Sequence, residues 1–322
     1  MTRARPYGAP ADQRPGPPPP AIALVGPPGG GKTTFLQGIL KGTPDRDRYG
    51  RWRVVVDENE ADLAGTLLGN IDRNTFPVAT SKVAEETWTI RGTWPARPRN
   101  SLFGRQRFDG GEAEEFDLRI CDLPGGSTVT PQRDDIAGLL GSVGGIILLV
   151  DPVRMMAATH DDRGEPPVST YGHLHRLLRA LDSRLAPGSS QVPQVLSVCV
   201  GKLDHPDVFR LALDRQALFS DDGKAPVVPP GEHSRQLFEH LCRTSVDPAD
   251  ADIPDLLDTY FARIDYHTVS SIGLYVGPDG YDQGDTLNVV PSGGTERIRR
   301  YVPMQVWETL LDLYLLLPGV RP

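Results

Sequence analysis

Three short segments of this 322-residue chain carry residue types at spacings that could do chemistry. The first is Gly26-Pro27-Pro28-Gly29-Gly30-Gly31-Lys32-Thr33, which fits the pattern G-x-x-x-x-G-K-[ST] at every fixed position. Glycines let a backbone wrap around phosphate oxygens with its N–H groups turned inward, where side chains would obstruct. A helix that follows adds the positive end of its dipole. In such a cradle Gly26, Gly29, Gly30, Gly31 and Thr34 line the phosphates. Lys32 neutralises the outer two, and the Thr33 hydroxyl ligates Mg²⁺. A glycine-rich turn that happens to carry a lysine is the ordinary alternative. The apolar run Ala21–Val25 before the motif and the helical pattern Thr33–Leu40 after it speak against that alternative.

The second segment is Asp122-Leu123-Pro124-Gly125, of the form D-x-x-G. There the aspartate approaches the metal, usually through water, and the glycine N–H senses a γ-phosphate. The same four residues also make a good turn. The third is Gly201-Lys202-Leu203-Asp204, at the end of an apolar strand-like run. A carboxylate at Asp204 would accept from N1–H and N2–H₂ of guanine, with the Lys202 stem over the ring face. Adenine, with an acceptor in place of N1–H, would be rejected by leaving groups unpaired. A solvated Lys-x-Asp after a strand is the plain alternative. Val269-Ser270-Ser271-Ile272-Gly273 follows another strand and offers the Ser271 backbone N–H to guanine O6. A first-switch threonine is expected between the opening helix and Asp122. Thr75 and Thr80 are available, and Thr80 is preferred because it precedes a strand directly, Thr75 being the ordinary turn residue.

These residues need a sheet and helices to hold them. Strands are expected at 21–25, 52–56, 83–90, 116–121, 145–150, 195–200 and 266–270. Helices are expected at 33–40, at 58–68 with Leu63, Leu67 and Leu68 on one face, at 171–185 around Leu174, Leu177, Leu178 and Leu181, at 234–243, at 253–264 and at 303–317. Alternating strands and helices give an α/β class with three layers, a mostly parallel sheet with an antiparallel edge strand and helices on both faces. Residues 1–20, with seven prolines, read as a disordered or polyproline-like tail. Residues 21–322 read as a single domain with insertions near 92–115 and 277–294.

Motif order and spacing resemble the Ras-like class of P-loop GTPases, and more closely the bacterial double-GTPase group related to the Rag/Gtr type. Shared features are the phosphate loop, an extra Trp-containing strand before a helix, a Pro-x-x-Thr first switch, D-x-x-G, the Lys-Asp motif, S-S-x-G and a terminal helix entered through Val302-Pro303. The resemblance implies a Mg²⁺-dependent switch that hydrolyses GTP to GDP. Lys32, Thr80 and Gly125 would act at the γ-phosphate, Thr33, Thr80 and Asp122 at the metal, and Lys202, Asp204 and Ser271 at the base. It also implies a protein effector or GTPase-activating partner, another GTPase being one option. Two residues depart from the pattern. Gly126 stands where Ras-like enzymes usually have a water-orienting glutamine, so intrinsic hydrolysis should be slow without a partner. Gly201 replaces the usual Asn/Thr and removes a tie to the phosphate loop. Two rivals stay open: an ATPase using Asp151, at the end of Ile146–Val150, as a Walker B carboxylate, and a nucleotide-binding scaffold without turnover.

Composition narrows the classes further. Thirty-four basic against forty-two acidic residues give a net charge of −8, and the pI is about 5.4. With no basic block, nucleic acid is not expected as the main ligand. The longest apolar runs are too short to span a bilayer, and no secretory pattern follows the first arginines. Cys121, Cys199 and Cys242 are far apart and odd in number, which suits a reducing, cytoplasmic setting. His173 and His175 make a poor metal pair at their spacing. The Arg91/Arg97/Arg99/Arg105/Arg107 run reads first as an exposed loop, with an acidic partner or an arginine finger as the functional alternative.

Overall fold

The computed structural model describes residues 20–27, 29–56, 61–77, 86–95, 97–99, 107–109, 113–120, 138, 140–156, 169–182, 190–220 and 224–320. Its centre is a seven-stranded sheet built from β1 (Ala21–Val25), β2 (Arg51–Val55), β3 (Glu86–Thr93), β6 (Ala113–Ile120), β7 (Gly145–Val150), β8 (Val195–Val200) and β9 (Ile264–Thr268). The spatial order is β2-β3-β6-β1-β7-β8-β9. From β6 to β9 the neighbours are parallel, whereas β3 pairs antiparallel with both β6 and β2. The architecture is thus the three-layer α/β fold, with antiparallel pairing at one edge.

β1 and β7 carry no polar side chain because both of their faces are covered, and β8 departs from this only at the buried Ser197. Successive side chains alternate between the faces. Ala21, Ala23, Val25, Leu148 and Val150 enter one core, and Ile22, Leu24, Ile147 and Leu149 enter the other. Burying each such Val, Leu or Ile is worth about 1.5–3 kcal/mol. The first core is closed by α5 (Thr170–Asp182), α6 (Pro206–Asp214), α7 (Glu232–Thr244) and α8 (Ile253–Tyr260). The second is closed by α1 (Lys32–Lys41), α3 (Ala61–Arg73) and α9 (Val306–Leu316), with the short α2 (Arg46–Tyr49) near the β2 edge. A five-residue helix, α4 (Pro152–Met156), follows β7.

Several boundaries differ from the sequence expectation for physical reasons. The helix expected over 253–264 stops at Tyr260, because Phe261 is extended and buried and the chain re-enters the sheet at Ile264. On α3, Leu67 is buried but Leu68 is exposed, since adjacent helical residues point about 100° apart. The stretch around 92–115 contains a small antiparallel pair, β4 (Arg97–Arg99) with β5 (Arg107–Asp109). The stretch around 277–294 holds two hairpins, β10 (Val276–Gly277) with β11 (Gly280–Tyr281), and β12 (Val289–Ser292) with β13 (Thr295–Ile298). Among the described residues no helix is long and apolar enough to cross a membrane.

Candidate functional site: a cleft between the glycine-rich loop and the Lys-Asp loop

The parallel strands end together along one edge, and the motif loops leave from their carboxyl ends, where ligands bind in open α/β sheets. β1 runs into the phosphate loop and α1 begins at Lys32, with Gly31 as the residue before it. Gly29 and Gly31 have φ of 69° and 91°, a region that residues with a Cβ rarely adopt, so glycine is needed at both turns. Lys32 is buried, and its Nζ donates to the carbonyls of Gly26 at 2.8 Å and Pro27 at 3.0 Å. The lysine is therefore drawn across its own loop, with Thr33 and Thr34 following in the first turn of α1.

β8 delivers the second loop. The Gly201 and Leu203 amides are bonded to Val150 and Val269, which locks the loop between β7 and the end of β9. Lys202 adopts φ 58°, a conformation uncommon for a residue with a side chain. Its Nζ reaches Asp151 Oδ2 at 2.7 Å, and Asp151 also accepts from the Val153 amide. Asp151 is 2% exposed, so the pair leaves no uncompensated charge in the sheet edge. That carboxylate, expected as a Walker B group in the ATPase alternative, is engaged by Lys202.

Asp204 is fixed by a residue that the motif match passed over. The Ser270 hydroxyl donates to Asp204 Oδ1 and accepts from the Gly273 amide at 2.7 Å. Burial pushes the Asp204 carboxyl above its ordinary range, and the Ser270 bond is the largest influence holding it down. Ser270 itself is fully buried and pinned by backbone bonds to Met304. The signal was present in the sequence as the first serine of Ser270-Ser271.

Phosphate loop and base loop face one cleft of about 440 Å³, part of it open to solvent. Gly30, Gly31 and Thr34 line it together with Gly201, Lys202, Asp204 and Ser271. Phe76, Leu149, Val269 and Ile272 add apolar wall. Phe76 and Ile272 were not anticipated, as neither is polar. Thr75 is a turn residue here, its amide and hydroxyl both directed to the Asn70 carbonyl at the end of α3. Thr80, Asp122, Gly125 and Gly126 lie outside the described residues.

His173, in the first turn of α5, is buried, and among the described residues its Nε2 has no hydrogen-bond partner. Burial, then the charges of Lys32, Arg176 and Arg154, push its pKa down to about 4, so it is neutral at ordinary pH. His175 instead stacks on Tyr171, so the two histidines diverge. Among the described residues, Asp265, His267 and Asp312 form the group with metal-like spacing. There Asp265 holds the His267 ring, and Asp312 accepts from Arg48 and Tyr49.

No protein-family model matches the chain, and no curated protein matches it. Solved structures do. The chain is similar to one in the signal recognition particle receptor SRb-GTP/SRX complex from Chaetomium thermophilum, at 17% identity and TM-score 0.37, over 80% of this chain and 93% of that one. It is also similar to the S. cerevisiae Ski7 GTPase-like domain bound to GTP, at 12% identity and TM-score 0.35, over 95% of this chain and 51% of that one. A third is a point variant of Aquifex aeolicus Era bound to GDP·AlF4⁻, at 11% identity and TM-score 0.32, over 94% of this chain and 58% of that one. The chain thus spans about half the length of the last two. At such low scores these likenesses carry no argument about function. The fold stands on the strand order and the phosphate-loop geometry.

Proposed function

We propose that the chain is a guanine-nucleotide switch that binds GTP with Mg²⁺ and hydrolyses it to GDP. The observation that carries this reading is a cleft lined both by the phosphate-loop residues Gly30, Gly31 and Thr34 and by Lys202, Asp204 and Ser271. Backbone N–H groups and Lys32 hold the phosphates. The Asp204 carboxylate accepts from guanine N1–H and N2–H₂, and the Lys202 stem, steadied by Asp151, covers the ring. A buried carboxylate built to accept two donors rejects a base lacking them by about 10⁴-fold or more. The engagement of Asp151 by Lys202 favours this reading over the ATPase alternative.

Mg²⁺ suits the donors assigned to it. Two hydroxyls and a carboxylate, from Thr33, Thr80 and Asp122, are hard oxygen ligands. Thr33 stands directly after the phosphate-binding lysine, in the first turn of α1. When bound, the ion neutralises charge developing on the transferred phosphoryl group. This chain's own part is to hold the phosphates and fix the base. In hydrolysis a water oxygen bonds to the γ-phosphorus as the bond to the β-bridging oxygen breaks, giving GDP and phosphate. With glycine at 126, turnover is slow until a partner protein orients the water, and the switch segments near Thr80 and Asp122 signal to that effector. The test is Asp204→Ala. GTP affinity should fall by roughly 100-fold or more, while weak ATP binding stays as it was. Full retention of GTP would remove the guanine assignment.

A further inference from the structure

We infer that the segment Asn288–Tyr301 is a strap that positions both walls at the base end of the cleft, and so sets how fast nucleotide leaves. The inference rests on the nucleotide reading above and extends it to residues that touch no ligand. The chain leaves the base-reading loop at Gly273, makes two hairpins, and returns along β13 to Tyr301.

On one side the strap holds the base-reading loop. Asn288 is 1% exposed, and its Nδ2 donates to the carbonyls of Ile272 at 3.0 Å, Gly273 at 2.9 Å and Arg300 at 2.6 Å. Its Oδ1 accepts from the Arg300 amide at 2.9 Å, which fixes the orientation of the side-chain amide. The Val302 amide adds a bond to the Ile272 carbonyl.

On the other side the same segment holds the turn that leads toward the first switch. The Ile298 amide donates to the Asn74 carbonyl at 2.9 Å, and Asn74 sits at φ 55°. The Tyr301 hydroxyl donates to the Thr75 carbonyl at 3.0 Å and lies 3.3 Å from Gln37 Oε1 on α1. Between the two sides, Ile71, Ile272, Ile298 and Tyr301 form a separate apolar cluster, with Phe76 packed on it. Ile272 and Phe76 are the cluster members that line the cleft. A guanine base leaving this end must part those two walls, and the strap is bonded to both. Asn288 and Tyr301 are therefore positioning residues. Their loss acts on departure more than on arrival, because changes within one binding site fall mostly on the off-rate.

The test has two readouts. Hydrogen exchange on the nucleotide-free protein should quicken on both sides in each variant: Tyr301→Phe, which keeps the ring in the apolar cluster, should loosen the amides of 272–274 as well as those near 74–76, and Asn288→Ala should do the converse. Stopped-flow release of a fluorescent GDP should be roughly tenfold faster in each, the size expected for losing one to a few buried hydrogen bonds. Arg243→Ala, which cuts a surface pair with Glu239 on α7 outside the strap, should leave both readouts unchanged. Exchange quickening only beside the altered residue, or release at the parent rate from variants of unchanged thermal midpoint, would overturn the strap. Failure of the parent protein to hold fluorescent GDP would overturn the nucleotide reading and the strap together. If the exchange coupling is present and GDP is held, but release is unaltered, the strap's control of departure is refuted while the nucleotide reading stands.

Discussion

Ser270→Ala is the perturbation in which the geometry makes the sharpest demand. The hydroxyl is fully buried and does two things: it donates to Asp204 Oδ1 and accepts from the Gly273 amide. A hydrogen bond to a charged group is worth about 1.5–3 kcal/mol, which corresponds to roughly 10- to 100-fold in affinity. Removing it leaves a buried carboxylate less supported and frees the loop that carries Ser271. The sign in pH follows from the same bond. Guanine recognition needs Asp204 ionised, burial already holds its pKa above the ordinary value, and Ser270 opposes that rise. Taking Ser270 away lifts the pKa further, so GTP binding in the variant should fail at a higher pH than in the parent as the solution is acidified. Displacement of a fluorescent guanine nucleotide, measured from neutral to mildly acidic pH, reads both effects, and Ser270→Thr should recover most of them. If Ser270→Ala folds normally, binds GTP as tightly as the parent and shows the same acid limb, the claim that Ser270 holds the base-reading carboxylate is wrong.

Two further outcomes are expected. On the proposed reading, Lys32→Ala should abolish retention of every nucleotide, guanine or adenine, in equilibrium dialysis, because its Nζ spans the glycine-rich loop assigned to the phosphates. His173 should make the protein acid-sensitive: its pKa is depressed from 6.5 to about 4 in the folded state, so the unfolded chain binds the proton first. Its contribution to stability should therefore fall as pH drops below about 6.5 and level off below about 4, a loss of about 3 kcal/mol. Denaturant midpoints of His173→Gln across that range should lack this part of the slope.

What was legible in the sequence follows from the physics of each element. β7 and β8 lie where their apolar runs placed them, because strands covered on both faces are almost wholly apolar, the buried Ser197 of β8 being the exception. β9 begins two residues earlier than expected, since its opening Ile264 and Asp265 do not look like a buried strand. Asp265 is tolerated there because it bonds His267, a pairing visible only in three dimensions. β3 continues to Thr93 through Gly92, which reads in the sequence as a strand breaker. The Trp52 ring lies so close that a Cβ at Gly92 would clash with it, so the glycine is what lets β2 and β3 pack. In the cleft, the phosphate loop and the Lys-Asp loop were legible because their chemistry demands fixed residue types at short spacing. The pairings of Ser270 with Asp204, Asp151 with Lys202 and Asn288 with Ile272 and Gly273 were not, because each joins residues separated along the chain. Thr80, Asp122 and Gly125 fall outside the described residues, so their roles rest on the motifs.

The most direct test of the central claim is calorimetric titration of the purified full chain with GTP, GDP and ATP in magnesium buffer. GTP and GDP should each bind one per chain, with ATP weaker by about 10⁴-fold or more. Binding of ATP as tight as that of GTP, or no heat from either guanine nucleotide, would contradict the account.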